Sequence, residues 1–328
     1  MKKLTTITFL LLFTSTIVFN QDTFSIVAVD EETGEVGSAG ASCVDLSNFP
    51  GFATDFLGEL FPGIGAINTQ AFYSQINQIN ARNRMNAGDT PQEIIDWLIN
   101  NDVNGQPQFR QYGIVALVDG MPESAGHTGT STDDYKNHVL GPNYAIQGNI
   151  LLGQEILDSM ESRFLNEEGD LSCKLMAALQ GANVVGADTR CAPLGTSSLF
   201  AFVKVAQPED TFGNPSFVQS VRFSANQGIE PIDSLQNLFD EVKSCMVSNT
   251  DEKDELSNQI RLYPNPTYDK VTIDVEYESA VLTNIMAQQL TTFYNEKVLN
   301  LDGYNSGIYY VHLTLKSGQR STIKVIKQ

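Results

Sequence analysis

Residues 23–43 read TFSIVAVDEETGEVGSAGASC, and the rest of the chain is arranged about them. Phe24, Ile26 and Ala28 alternate with Ser25, Val27 and Val29, Glu31-Glu32-Thr33-Gly34 supplies turn residues, and a small-residue run continues over 36–41. This pattern predicts a β-hairpin. Its first strand starts just after an apolar leader, which brings a Thr hydroxyl near the amino terminus of the processed chain. One chemistry uses that placement: an N-terminal Thr whose own α-amine, with a pKa of about 8, is the base that activates the hydroxyl for attack on an amide or ester.

The leader itself is Met1-Lys2-Lys3 followed by an apolar run over 4–19, too short to span a bilayer, so residues 1–20 read as a signal peptide. Signal peptidase prefers small residues before the cut, and Asn20 and Asp22 are poorly suited to a cut just ahead of Thr23. Cutting after Asn20 leaves Gln21-Asp22-Thr23, with a Gln prone to cyclise. The N-terminal mechanism then needs a second trimming step to expose Thr23. No other stretch is apolar enough to cross a membrane, so no transmembrane segment is expected in the mature form.

At 328 residues the chain is long enough for two domains. Its 39 acidic against 20 basic residues give a formal charge of −19, which argues against nucleic acid as a partner. Four cysteines, Cys43, Cys173, Cys191 and Cys245, all lie in the exported part, and an even count in an oxidising compartment favours two disulfides with three possible connectivities.

Along the chain, 45–62 reads as a Phe-, Gly- and Pro-rich surface loop and 63–69 as a short strand. A helix follows over 70–86, with Phe72, Ile76, Ile79 and Met85 near helical spacing. Thr90-Pro91-Gln92-Glu93 is a capping box that opens a second helix with Ile94, Ile95 and Leu98 on one face. The nearly continuous apolar run YGIVALVD over 112–119 predicts a strand covered on both faces. Further strands are expected over 122–128, 144–151, 197–205 and 217–223. Helices are expected after Gly153, after an Asp170 cap, and over 231–242 with Ile232, Leu235, Leu238, Phe239 and Val242 inward. Pattern alone gives an α+β class.

Several pieces in fixed order are more telling than any one of them. TFSIVAVD and EVGSAGAS, then GIGAINTQA, HTG and QGNIL, resemble the family of uncharacterised bacterial proteins called DUF1028, over about residues 23–204. That family is grouped by resemblance with the N-terminal-nucleophile (Ntn) hydrolases. The resemblance implies a four-layer αββα sandwich over a domain at 21–247, with Thr23 as nucleophile. Gln147-Gly148-Asn149 offers an amide and a Gly-flanked backbone N–H to hold an oxyanion. Asp188 and Arg190, in GADTRCAPLGTSS, match the family's charged loop and form a pair beside the hairpin end. The catalytic set expected from the likeness is thus Thr23, Asn149, Asp188 and Arg190, and the substrate-binding set is Thr69, Gln70, His127 and Gln147. Where the family usually carries Lys this chain has Cys43, which removes a cation that would lower the nucleophile's pKa. We pair Cys43 with Cys191 and Cys173 with Cys245, because the first two sit at loop ends near the proposed site and the others on predicted helices.

Residues 248–258, SNTDEKDELSN, are polar without an apolar period and read as a linker. Beyond it, 259–328 alternates short strands with turns, as in a small all-β sandwich. LYPNPT at 262–267, LDGYNSGIYYVHL at 301–313 and STIKVIKQ at 321–328 resemble the C-terminal sorting domain of the type IX secretion system. That likeness implies the secretion machinery as a partner and a secreted or cell-surface location.

His127, His138 and His312 are too scattered for metal-ligand spacing, GADTR lacks the Lys-Ser/Thr of a phosphate loop, and no Gly-x-Ser-x-Gly elbow is present. No cofactor is expected. The function expected is an exported Ntn-type hydrolase acting on an amide bond of a small peptide or peptidoglycan-like substrate. The alternative is a surface binding module that kept the fold without catalysis.

Overall fold

In the computed structural model, β1 (Thr23–Val29) and β2 (Val36–Ser42) pair antiparallel from Thr23↔Ser42 to Val29↔Val36, which is the hairpin read from the sequence. The structure describes residues 23–245, 260, 262–285, 288–316 and 320–328. The expected leader at 1–20 and linker at 248–258 lie outside the described residues. What is described falls into two compact units, one ending at Cys245 and the other running to Gln328.

The hairpin is the centre of the first unit. Its sheet is completed by β8 (Tyr144–Gly148) and β7 (Asn137–Gly141) on one side, and by β9 (Phe200–Ala206) and β10 (Phe217–Arg222) on the other. A second sheet of four strands is ordered β3 (Gly58–Phe61), β4 (Gly65–Gln70), β5 (Gln111–Val118) and β6 (Met121–Thr128). Strand alternation sorts the side chains. Val27 and Val29 meet Leu60, Ala66 and Val115 between the sheets, while Phe24, Ile26 and Ala28 face outward. On that outer face lie α3 (Gln154–Asn166), α4 (Leu171–Gly181) and α5 (Pro231–Val242), contributing Leu157, Leu175 and Leu235 to the largest core. On the far side of the second sheet lie α1 (Gln75–Asn86) and α2 (Pro91–Asn100), packed on Ile67, Tyr112 and Ile114. The order of layers is helix, sheet, sheet, helix.

Local signals account for most helix ends. Thr90 accepts from the Glu93 N–H while Glu93 accepts from the Thr90 N–H, closing the capping box that starts α2. Asp170 accepts from the Cys173 N–H and caps α4. Two helix faces depart from expectation. In α1 the apolar Ile76 and Ile79 are exposed, whereas Asn77 and Gln78 are buried. Asn77 donates to Asp102 and to the Tyr112 hydroxyl, and Gln78 donates to the Phe56 carbonyl, so tertiary partners for the amides outweigh the apolar stripe. In α5, Ile232, Leu235 and Phe239 are buried but Val242 is exposed.

The loop after β2 folds back on the sheet. Val44, Leu46 and Leu57 pack on the inner faces of Phe200 and Phe202, with Phe49, Phe52 and Phe56 around them. The chain also forms two short strands not expected from the pattern, β3 and β7. Two disulfides, Cys43–Cys191 and Cys173–Cys245, join the cysteines in the expected pairs.

The second unit is all-β. One sheet holds β11 (Leu262–Tyr263), β12 (Lys270–Ile273) and β15 (Val298–Asn300), and the other holds β13 (Tyr277–Asn284), β14 (Gln289–Phe293), β16 (Gly307–Leu315) and β17 (Arg320–Lys327). Alternate residues such as Val271, Ile273, Leu282, Val311 and Leu313 form its own core.

Candidate functional site

The space between the two sheets changes character along its length. One end is aliphatic, and the end where β1 begins is polar. Thr23 and Ser25 lie on the same face of β1 as Val27 and Val29 and therefore point between the sheets. The Thr23 N–H donates to Asn149 Oδ1 at 3.3 Å, and the Asn149 N–H donates back to the Thr23 carbonyl at 3.1 Å. Gln70, from the opposite sheet, donates from Nε2 to the same carbonyl at 3.1 Å and to Gln111 Oε1 at 2.7 Å. Ser25 Oγ donates to Gln70 Oε1 at 2.6 Å and accepts from Gln147 Nε2 at 2.5 Å.

This network is buried and tightly built. Thr23, Ser25, Gln70, Gln111, Gln147 and Asn149 are all buried. Gln147 lies so close over Gly113 that a Cβ there would collide with its amide, which is why this position of β5 takes glycine. Gln147 Oε1 has no hydrogen-bond partner among the described residues. The two residues that follow the amides on Thr23 have positive φ: Ala71 at +51° after Gln70, and Ile150 at +52° after Asn149. For a β-branched Ile that is a strained conformation, costing on the order of 1–3 kcal/mol, which the surrounding bonds must hold in place.

Asp188 and Arg190 meet the other strand of the hairpin. Asp188, fully buried, accepts the Cys43 N–H at 2.9 Å and is held by Arg190 through Nε at 3.0 Å and Nη2 at 2.6 Å. Cys43 follows Ser42, the direct partner of Thr23 across the hairpin. The Cys43–Cys191 bond ties the same strand end to the short 3₁₀ helix Thr189–Leu194. Asp188 and Arg190 thus brace the strand beside Thr23.

Of the expected binding residues, Gln70 and Gln147 join the Thr23 network and two do not. Thr69 pairs with Tyr112, whose hydroxyl reaches α1, so Thr69 lies on the helix-facing side of its sheet. His127 stacks on Tyr112 on that same side, with Nε2 2.9 Å from the Pro107 carbonyl. The histidine connected to the network is His138. Gln111 Nε2 donates to Thr128 Oγ1 at 2.9 Å, and that hydroxyl sits 2.9 Å from His138 Nδ1. Burial, reinforced by the charge of His127, lowers the His138 pKa below the ordinary histidine value. Thr128 Oγ1 and His138 Nδ1 share one hydrogen bond whose direction follows the ring tautomer. Ser25, Gln111, Thr128 and His138 are the members that reading the sequence missed. The available signal was register: His127 and Thr128 alternate faces on β6, and Thr128 is the one opposite Gln111.

Among the described residues no group of His, Cys, Asp and Glu is arranged to hold a metal ion. The arrangement can orient one backbone nitrogen and one carbonyl at the head of β1, and it can present amide groups around them.

A family model described as a family of unknown function, DUF1028, matches residues 23–219. The chain belongs to this family. A crystal structure of a DUF1028 protein from Silicibacter pomeroyi is similar to it at 20% identity and a TM-score of 0.52, over 73% of this chain and 94% of that one; at this identity the likeness speaks for the fold alone. A secretion system C-terminal sorting domain matches residues 261–328, so this DUF1028 chain is an exported protein, sent to the cell surface or secreted. No helix among the described residues is long and apolar enough to cross a membrane. Among curated proteins, none matches.

Proposed function

We propose that the first unit is an Ntn-type hydrolase acting on an amide bond of a small peptide or peptidoglycan-like substrate, exported through the type IX route by its tail. The observation that carries this reading is the meeting of Asn149 and Gln70 on the backbone of Thr23, the residue that opens the central strand. In a chain that starts at Thr23, the nitrogen held by Asn149 is a free amine. That amine takes the hydroxyl proton, and Thr23 Oγ attacks the substrate carbonyl. Gln70 keeps the Thr23 carbonyl in place, Asp188 and Arg190 hold the neighbouring strand, and amides of the 147–149 segment serve the oxyanion. The strained φ of Ala71 and Ile150 supports the reading, since such outliers concentrate where side chains must be aimed. While residue 22 remains attached, the nitrogen is an amide and has no basicity.

A second reading rests on the burial of Thr23, which is fully inaccessible and whose backbone is held by the amides of Asn149 and Gln70. It favours a surface binding module on the same scaffold. Mass spectrometry of the secreted chain separates the two. Thr23 as first residue, together with loss of amide hydrolysis in Thr23→Ala, supports the hydrolase. A stable Gln21 terminus rules the N-terminal-nucleophile hydrolase out, and a Thr23→Ala chain as active as the parent removes Thr23 as the nucleophile.

A further inference from the structure

We infer that the cleft beside the Phe-rich loop is a binding site for a neutral saccharide. The inference does not depend on Thr23. The cleft has a volume of about 470 Å³, within the range of small-ligand sites, and lies between residues 51–56, the start of β3, the first turns of α1, and Lys204 on β9. One wall is aromatic. Phe52, Phe56 and Tyr73 form an edge-to-face cluster with centroids 5.0, 5.1 and 6.1 Å apart. The charged groups form two ion pairs, Lys204 Nζ on Asp55 Oδ2 at 2.7 Å and the Arg82 guanidinium on Glu59 through both nitrogens that face it, with the amides of Gln75 and Gln78 beside them.

The ligand class follows from this donor set. The two cations and two carboxylates of the cleft are paired with each other, so neither sign of ion finds an unpaired partner there. A charged ligand would have to break a pair that is already formed. Lys204 also donates to the Asp55 and Gly58 carbonyls, and Arg82 lies over the Phe212 ring at 4.9 Å, so both cations are held in place before any ligand arrives. A ring with an apolar face and vicinal hydroxyls suits such a site. Its C–H face lies on the aromatic wall, and its hydroxyls bridge the planar carboxylate and guanidinium edges by charge-assisted hydrogen bonds.

The test is calorimetric titration of the secreted full chain with two neutral probes, triacetylchitotriose and cellotriose, against anionic trigalacturonate and zwitterionic Ala-Ala. The expected result is saturable binding of a neutral trisaccharide with Kd of about 1 mM or tighter. Phe52→Ala and Glu59→Gln, each checked for an unchanged melting transition, are expected to weaken it about tenfold. A second readout, free of any rearrangement of the loop by substitution, comes from the wild-type chain: amide exchange over 51–59 slows when the saccharide is added. No binding of either neutral probe at about 10 mM overturns the proposal. Preferential binding of trigalacturonate or Ala-Ala, or binding that both folded variants leave untouched, also overturns it.

Discussion

Asp188→Asn isolates the brace beside Thr23. The Asp188 carboxylate is fully buried and accepts the Cys43 N–H, the Arg190 N–H and two guanidinium nitrogens. Asparagine keeps the shape but turns one oxygen into a donor, which then faces either the Cys43 N–H or the guanidinium. Hydrogen bonds to a buried charge are worth about 1.5–3 kcal/mol each, and leaving one donor buried and unmatched costs a similar amount. The Arg190 side chain is 32% exposed, so its share is discounted toward the range of about 0–1 kcal/mol of a surface pair. The expected loss is about 3 kcal/mol, or roughly 6–12 °C in the transition of a unit this size. Urea and thermal unfolding of the full chain under non-reducing conditions measure it. Amide exchange at Ser42 and Cys43 is expected to accelerate in parallel. A shift within about 0.5 kcal/mol, the range of ordinary surface changes, refutes the view that Asp188 holds this strand end.

Two other groups give sharp expectations. Asp102 and Arg110 form a buried pair at 2.7 Å; burial pushes Asp102 up, but Arg110, the Gln106 and Asn104 N–H groups and Asn77 together hold its carboxyl well below the usual carboxylate range. Asp102→Ala leaves Arg110 uncompensated and strands the Asn104 and Gln106 N–H groups, and is expected to cost about 3–5 kcal/mol, as denaturant midpoints will report. His138 is held neutral by burial, so the unfolded chain binds its proton more readily than the folded one. Stability is therefore expected to be fully present above pH about 6.5 and to fall as the pH drops below it toward the folded pKa. His138→Gln is expected to flatten that slope below pH about 6.5, as melts across this range will show, and an unchanged slope would contradict the assignment.

How much of this was legible in the sequence depended on how local the cause was. The hairpin, the Thr90 capping box and the Asp170 cap were readable because each is decided within a few residues. The burial of Asn77 and Gln78 was not, because their partners Asp102, Tyr112 and the Phe56 carbonyl come from elsewhere in the chain. The same holds for β3 and β7, edge strands of four and five residues whose existence depends on pairing. At the site, Thr23, Gln70, Gln147 and Asn149 were reachable through family-like motifs, whereas Gln111 and His138 entered through register alone. A one-residue change of face separates His127 from Thr128, and a sequence motif carries no information about which side of the sheet it faces.

The Cys173–Cys245 bond has a consequence for how the protein survives outside the cell. Cys245 lies three residues past the end of α5 and is joined to the first turn of α4, where the neighbouring Lys243 also pairs with Asp170 at 2.6 Å. An exopeptidase chewing inward from a downstream nick meets a covalent knot before it reaches α5. Whatever becomes of the tail, the cut end of the remaining body stays fastened, and α5 has no loose thread by which it can be unravelled.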